Sequence, residues 1–172
     1  MKKRIQLPLQ GRKVLENFIA GDEILLSGVI YTARDAAHKK MFEAGKAPID
    51  LRDKFIYYTG PTPTPPQAIV GSCGPTTSSR MDNFVEFMLA DLQTVGMIGK
   101  GKRSALVADA CKKYKAVYFI APGGCGALLA NSVTKIELVA YPEFLSEAIY
   151  RMEVEDMPLI VGIDIFGSDV FR

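Results

Sequence analysis

The chain has 172 residues, of which 48% are hydrophobic, and carries a formal net charge of +2. This length and composition indicate one folded domain over residues 1–172 and exclude a disordered chain. The small charge gives no reason to expect nucleic acid or an anionic membrane as a partner. No apolar run reaches the roughly 20 residues that span a bilayer. The opening MKKRIQLPLQ lacks the apolar core of a secretory signal.

Predicted strands and helices alternate through most of the chain. The first part is predicted to contain an extended arm at 1–13, a short helix at 14–20, a strand at 24–31, a helix at 33–44 and a strand at 55–58. A stiff proline-rich connection at 60–66 leads to a strand at 68–73, helices at 78–95 and 103–114, a strand at 116–121, a short helix at 125–131 and strands at 135–140 and 159–165. The alternation predicts an α/β fold with a parallel or mixed sheet, in which the apolar segments at 21–30 and 158–167 add a second β layer or a barrel-like wall.

The most informative motif is GPTTSSRMD, Gly74 to Asp82, at the predicted start of a helix. It contains four consecutive hydroxyl side chains, although one is enough to cap a helix. Backbone N–H groups and the helix dipole attract anions at such a position, and Arg80 adds a guanidinium fork that suits a carboxylate. The motif therefore predicts an anion site, with an ordinary capped helix and a solvated Arg80 as the alternative.

Two other basic positions are candidates for the same site. Arg34 and His38 are four residues apart on a predicted helix that follows a buried strand, at the sheet edge where α/β proteins bind ligands. Lys100 lies between glycines that let the backbone approach a ligand closely. The alternative is a solvated helix face for Arg34 and His38, and a polar turn between helices for Lys100. The nearby acid–base candidates are the hydroxyls, His38 and Asp35, and the cations together suit a small dicarboxylate.

The cysteine pattern favours a reduced, cytoplasmic setting. Cys73, Cys111 and Cys125 are odd in number, and their spacing resembles neither a disulfide framework nor a CxxC site. Because His38 is the only histidine, a structural zinc site is not expected. Three thiolates could in number hold an iron–sulfur cluster, but all three lie in apolar or glycine-rich patterns that favour packing.

The motifs resemble those of the β subunit, or carboxy-terminal domain, of class I fumarate hydratase and of L-tartrate dehydratase. The resemblance extends in order along the chain through LSGVIYTARDAAHK (26–39), IYYTGPTPTPP (56–66), VGSCGPTTSSRMD (70–82), IGKG (98–101), APGGCGALLA (121–130) and EAIYRMEVEDMPLIVGID (147–164). Two features depart mildly from the family pattern: Ser79, where relatives often have Ala or Gly, and GGCGAL in place of GGAAAL.

The resemblance implies a swivelling β/β/α fold and an α subunit that holds a four-iron, four-sulfur (4Fe-4S) cluster through three of its own cysteines. One iron of that cluster would bind the substrate's hydroxyl and a carboxylate, and no cysteine of this chain would be a ligand. The resemblance also implies Thr76 as the catalytic base. It assigns the substrate contacts to Arg34, Thr76, Thr77, Arg80 and Lys100.

The function that the resemblance implies is a hydro-lyase that reversibly hydrates fumarate to L-malate. The enzyme would be active only with its α subunit, in a hetero-oligomer with α2β2 as the expected assembly. One alternative is the β subunit of L-tartrate dehydratase, which converts tartrate to oxaloacetate. Another is a non-catalytic dicarboxylate-binding module. An independent cysteine enzyme is disfavoured, because no histidine is positioned by sequence to activate a thiol.

Overall fold

The computed structural model describes residues 2–172, and its strands form one mixed sheet of seven strands. The strands are β1 (Lys3–Gln6), β2 (Glu23–Thr32), β3 (Phe55–Tyr57), β4 (Gly96–Gly99), β5 (Val117–Ile120), β6 (Val133–Ala140) and β7 (Ile149–Ile163). Their order is β1-β2-β3-β4-β5-β7-β6, and β7 also pairs with β2. Strands β2, β3, β4, β5 and β7 therefore close a five-stranded barrel.

Strands β1 to β5 run parallel to one another, whereas β7 is antiparallel to β2, β5 and β6. The predicted α/β class with a mixed sheet is confirmed, and so is the barrel-like wall. Because β2 to β5 are parallel, their carboxyl ends lie at one edge of the barrel. The segments that follow these strands are thereby brought together.

Helices are few and short. The α-helices are α1 (Asp35–Ala44), α2 (Ala105–Tyr114) and α3 (Gly126–Ala130). Turns of 3₁₀ helix occur at Arg12–Asn17, Ser78–Phe84 and Pro142–Glu147, and a π-helical turn at Phe87–Asp91. Gly45 ends α1 in the left-handed region, with φ at 65°, as predicted for a glycine that stops a helix. Between residues 2 and 172, none of the helices has the length and apolar character to cross a membrane.

The prediction of one continuous helix at 78–95 is wrong. The segment starts as a 3₁₀ helix and ends as a π-helical turn at Asp91. Thr94 then closes the turn, because its backbone N–H and its hydroxyl both donate to the carbonyl of Met88. Val95 instead donates to the carbonyl of Lys54 at 3.0 Å, and the chain continues directly into β4, a strand that the sequence pattern did not predict.

Two further element predictions differ from the structure. Residues 68–73 form no strand; Cys73 is tied to the carbonyl of Gly126 and Ser72 to Thr62 by isolated hydrogen bonds. The acidic segment 153–156 lies inside β7 rather than between strands. Its acidic side chains remain at least partly solvated while Val154 is buried, and Glu153 pairs with Arg151 at 2.6 Å.

Alternating strand residues divide the core into two clusters. Phe55, Ile98 and Phe119 belong to the cluster that the closed barrel encloses. Ile56, Met97 and Tyr118 belong to the second cluster, where the barrel packs against α1 and α2. This period of two is the expected consequence of the pleat and leaves both faces of β3 to β5 buried.

Candidate functional site

The residues predicted for the site lie where parallel strands β2, β3 and β4 end. Arg34 follows β2 and precedes the first residue of α1, and Lys100 comes directly after β4. The GPTT segment runs between them. The Thr76 N–H donates to the carbonyl of Tyr58 at 2.7 Å, and Thr77 forms a parallel bridge with Lys100. The structure thus collects the predicted residues at the sheet edge where ligands bind in α/β proteins.

Arg80 connects Thr76 to the start of α1. Its Nη2 donates to Thr76 Oγ1 at 2.7 Å, and its Nε and Nη2 donate to the two carboxylate oxygens of Asp35 at 3.0 and 3.1 Å. This fork fixes the plane of the guanidinium through two parallel bonds. The sequence had placed Asp35 off the face of Arg34 and given it no partner.

The Asp35–Arg80 pair is ionised over the neutral range. Burial alone raises the pKa of the Asp35 carboxyl, but the hydrogen bonds and the charge of Arg80 outweigh burial and leave that pKa below its ordinary value. The same hydrogen bonds raise the pKa of Arg80. The neighbouring charges are Arg34 and Glu147. The pair therefore keeps one fixed cation beside the Thr76 hydroxyl.

Arg34 is held much more loosely. Its Nε lies 3.8 Å from Glu147 Oε1, too far for a hydrogen bond, and within the described residues this buried nitrogen has no hydrogen-bond partner. A Cβ at Gly60 would lie 2.6 Å from Arg34 Nη1, so the glycine makes room for the guanidinium. Arg34 consequently retains most of its donors for an incoming anion.

Lys100 is positioned through a reciprocal link with Ser78. The Ser78 N–H donates to the Lys100 carbonyl at 3.1 Å, and the Lys100 N–H donates to Ser78 Oγ at 2.9 Å. The Tyr118 hydroxyl lies 3.0 Å from Ser78 Oγ and donates to the carbonyl of Gly101 at 2.9 Å. A Cβ at Gly99 would lie 1.8 Å from Ser78 Oγ, so only glycine fits there. Ser78 was counted among four hydroxyls, but the sequence did not mark it as the buried one.

A buried ion pair lies beneath these residues. Arg103 pairs with Asp82, and the Ser104 N–H donates to the other Asp82 oxygen at 2.8 Å. The Arg103 guanidinium stacks on the rings of Tyr58 and Tyr118, 5.4 and 4.9 Å from their centroids. The pair ties the Thr76 segment to the loop of Lys100. Sequence reasoning missed it, although the Asp of RMD and the Arg of GKGKR were both visible.

His38 is not placed to act on Thr76. It is fully buried, with its ring 5.4 Å from that of Tyr58 and 5.8 Å from that of Phe84. Its Nδ1 lies 2.8 Å from the carbonyl of Arg34, so Nδ1 carries the proton and donates. Burial lowers the pKa of His38 to about 4. His38 is therefore neutral at physiological pH and stabilises the start of α1 through this hydrogen bond.

The cysteines of this chain do not fit an iron–sulfur cluster. Cys73 and Cys111 are buried in different core clusters, and burial raises the pKa of their thiols to about 11 and about 12. Such groups resist the deprotonation that a cluster ligand requires. Across residues 2–172, no group of three or more His, Cys, Asp or Glu side chains is placed to hold a metal ion.

Comparison with known proteins identifies relatives along nearly the whole chain. The family model described as Fumarase C-terminus matches residues 1–172. The anaerobic class I fumarate hydratase of Escherichia coli strain K12 is 40% identical over 163 residues, which cover 92% of this chain and 30% of that protein. The chain thus spans less than a third of the length of that fumarate hydratase.

Two β subunits are matched over most of their length. The putative L(+)-tartrate dehydratase subunit beta of Methanocaldococcus jannaschii is 37% identical, with 94% of this chain and 87% of that protein covered. The L(+)-tartrate dehydratase subunit beta of Escherichia coli strain K12 is 34% identical, with 99% and 87% covered. The resemblance read from the motifs is confirmed: the chain belongs to the Fumarase C-terminus family.

Proposed function

We propose that this chain is the β subunit of an iron–sulfur-dependent hydro-lyase that reversibly hydrates fumarate to L-malate. The observation that carries the proposal is the Thr76 hydroxyl, held at 2.7 Å by Arg80 at the same sheet edge as Arg34 and Lys100. Lys100 makes no ion pair among the described residues, and Arg34 has only the long contact to Glu147. Two cations are thus free for a small dianion.

In this proposal Arg34 and Lys100 bind the substrate carboxylates, assisted by Thr77 and Arg80, and Thr76 removes or returns the proton at carbon. Arg80 donates to Thr76 Oγ1, so it stabilises negative charge on that oxygen and leaves the hydroxyl proton free to point elsewhere. Holding a small dianion in one orientation contributes much of the reduction in the barrier.

The 4Fe-4S cluster belongs to the α subunit in this proposal, because the thiols of this chain do not fit a cluster. The exposed Thr77 and Arg80 and the half-buried Thr76 leave the site open on this chain, which suits a site closed by a second subunit. We propose a hetero-oligomer of α2β2 type in the cytoplasm, where free cysteines are stable. We further propose that residues 1–172 act as one domain of the swivelling β/β/α type, since all seven strands share one sheet.

L-tartrate dehydratase is the second candidate, because the matches to its β subunits cover 87% of their length. Fumarate hydratase is preferred because its identity to this chain is higher, at 40%. The hydroxylated substrates of the two enzymes, malate and tartrate, differ by one hydroxyl group. Turnover of malate against tartrate by the same preparation separates the two candidates.

The test is co-expression with a cluster-binding α subunit under anaerobic conditions, followed by assays on fumarate, malate and tartrate. We expect activity from the complex and none from this chain alone. Thr76→Ala should lower kcat about 100- to 10,000-fold, the range of general-base contributions, and Thr76→Ser should keep part of the activity. Thr64→Ala is the matched control, since Thr64 is exposed in the proline-rich loop. Full turnover by Thr76→Ala contradicts the base assignment, and an active complex that turns over only tartrate contradicts the substrate assignment.

A further inference from the structure

The donors of Arg80 are already distributed between two protein groups. A guanidinium offers five N–H donors in a fixed plane. The Nε–H and one Nη2–H are directed at Asp35, and Nη2 also donates to Thr76 Oγ1. The forked edge that matches a carboxylate is therefore occupied by Asp35, and only Nη1 is left for a substrate. This arrangement differs from a simple substrate clamp.

Asp35 is well placed to determine where Arg80 points. It is the first residue of α1, whose start is fixed by the His38 side chain on the Arg34 carbonyl. The 3₁₀ helix that carries Arg80 is anchored independently through Asp82 and Arg103. The Asp35–Arg80 fork therefore joins two separately anchored segments.

We propose that Asp35 is a positioning residue for the reaction, which holds Arg80 on the Thr76 oxygen and leaves only Nη1 of Arg80 for the substrate. This inference rests on the proposed function, because it gives Asp35 a role only if Thr76 carries out the proton transfer. The carboxylate also offsets the charge of Arg80, so the attraction of the dianion falls mainly to Arg34 and Lys100. The main task of Arg80 is thereby to support the proton transfer, and only its Nη1 assists in binding.

This division predicts opposite effects of Asp35→Asn on the two kinetic constants. Arg80 loses its charged partner and is no longer held on Thr76, so kcat of the α–β complex should fall about 10- to 100-fold. The site gains one net positive charge, so KM for the dicarboxylate should stay the same or fall. Asp35→Glu keeps the charge at a longer reach and should restore part of kcat.

Glu43→Gln is the matched control. Glu43 lies on the same helix and makes an exposed ion pair with Lys39 at 3.8 Å, but it does not contact the site. Its kcat and KM should equal those of the wild type. A rise in KM with unchanged kcat for Asp35→Asn would place Asp35 in substrate binding, and a variant with both kcat and KM unchanged would remove its role altogether; either result overturns the inference.

A double-mutant cycle tests whether Asp35 acts through Arg80. In an Arg80→Lys background, Asp35→Asn should lower kcat less than threefold, because the fork it supports is already absent. A full additional 10- to 100-fold loss contradicts a route through Arg80. The Arg80 Nε–H resonance of the chain gives a readout without turnover: Asp35→Asn should shift it and speed its exchange with water, and Glu43→Gln should not.

The two proposals fail in different ways. If the wild-type complex hydrates no dicarboxylate, the proposed function is wrong, whatever the resonance shows. If the wild type is active and Asp35→Asn matches it in kcat, only the positioning role is wrong. Melting temperatures of all variants separate both results from a loss of folded protein.

Discussion

Two arginine–aspartate pairs meet in the segment Ser78–Phe84. They consist of the same residue types but differ in burial and in surroundings. In the inner pair, the Arg103 side chain is 0% exposed and Asp82 13%; in the outer pair, Arg80 is 46% exposed and Asp35 41%. Arg103 is enclosed by two tyrosine rings, whereas Arg80 faces solvent and the Thr76 hydroxyl. One short segment thus carries a buried pair that stabilises the fold and an exposed pair that lies at the candidate site.

The physical reason is desolvation. A buried charge has no water to replace a lost partner, so the inner pair cannot be broken without a large cost, and it fixes the geometry between the Thr76 segment and the Lys100 loop. An exposed pair contributes little to stability because water and salt compete with it. The outer pair therefore orients Arg80 towards Thr76 while contributing little to the stability of the fold.

The largest expected effect is from breaking the inner pair. Asp82→Ala leaves Arg103 charged and unpaired among buried side chains and removes the acceptor of the Ser104 N–H. The free energy of unfolding should fall by about 3–5 kcal/mol, as measured by urea denaturation at neutral pH. Asp109→Ala, on the exposed face of α2, is the control and should change it by about 0.5 kcal/mol or less.

If Asp82→Ala lowers the free energy of unfolding by less than about 1 kcal/mol, water reaches Arg103, and the inner pair contributes as little to stability as the outer pair. Asp82→Asn sharpens the result. It keeps an oxygen for the Ser104 N–H but removes the charge, so its destabilisation should lie between those of Asp109→Ala and Asp82→Ala.

The second prediction concerns His38, which lies between the two pairs and experiences Arg103 on one side and Asp35 on the other. Burial keeps its folded pKa near 4, below the ordinary 6.5. Between these values the unfolded chain binds a proton that the folded chain does not, so stability rises with pH over this window and is lost as pH falls from 6.5 towards 4. The full loss amounts to about 3 kcal/mol.

Urea denaturation at several pH values between 7 and 4 measures this slope. His38→Phe keeps a ring between Tyr58 and Phe84 and removes the titrating group. Its free energy of unfolding should therefore fall by about 3 kcal/mol less than that of the wild type as the pH is lowered across this window. Equal slopes in the two proteins would show that His38 is protonated in the folded state. That result would put a charge directly beneath Arg34 and change the electrostatics of the site.

The sequence was sufficient for features that depend on local pattern. Hydrophobic runs located β2, β3 and β5, and Gly45 marked the end of α1. GPTTSSRMD indicates an anion site because four hydroxyls exceed what a cap requires, and this interpretation stays a prediction. Features that depend on distant partners were not predictable: β4 lies between the predicted helices 78–95 and 103–114 and was not predicted, because its strand character comes from pairing with β3 and β5 on both sides.

The site was predictable as a set of residues, but not as a network. Arg34, Thr76, Arg80 and Lys100 are brought to one edge by parallel strands, and the motifs singled them out. The partner of Arg80 was missed because Asp35 is 45 positions away along the chain and belongs to a different element. Periodicity places a residue on a face; it does not say which charge from another segment will meet it.

The smallest expected effect is the stability change of Asp35→Asn, and it completes the comparison between the pairs. The folded pKa of Asp35 is depressed, so the pair stabilises the fold above the carboxyl's ordinary pKa and this contribution is lost as pH falls through the folded value. Because both partners are more than one third exposed, the contribution at neutral pH should be about 1 kcal/mol or less and should shrink further in 1 M salt. Urea denaturation at low and high salt measures it. A loss above about 2 kcal/mol that persists in salt would make Asp35 a structural residue like Asp82, and any fall in kcat on its substitution would then reflect a displaced helix instead of a released Arg80.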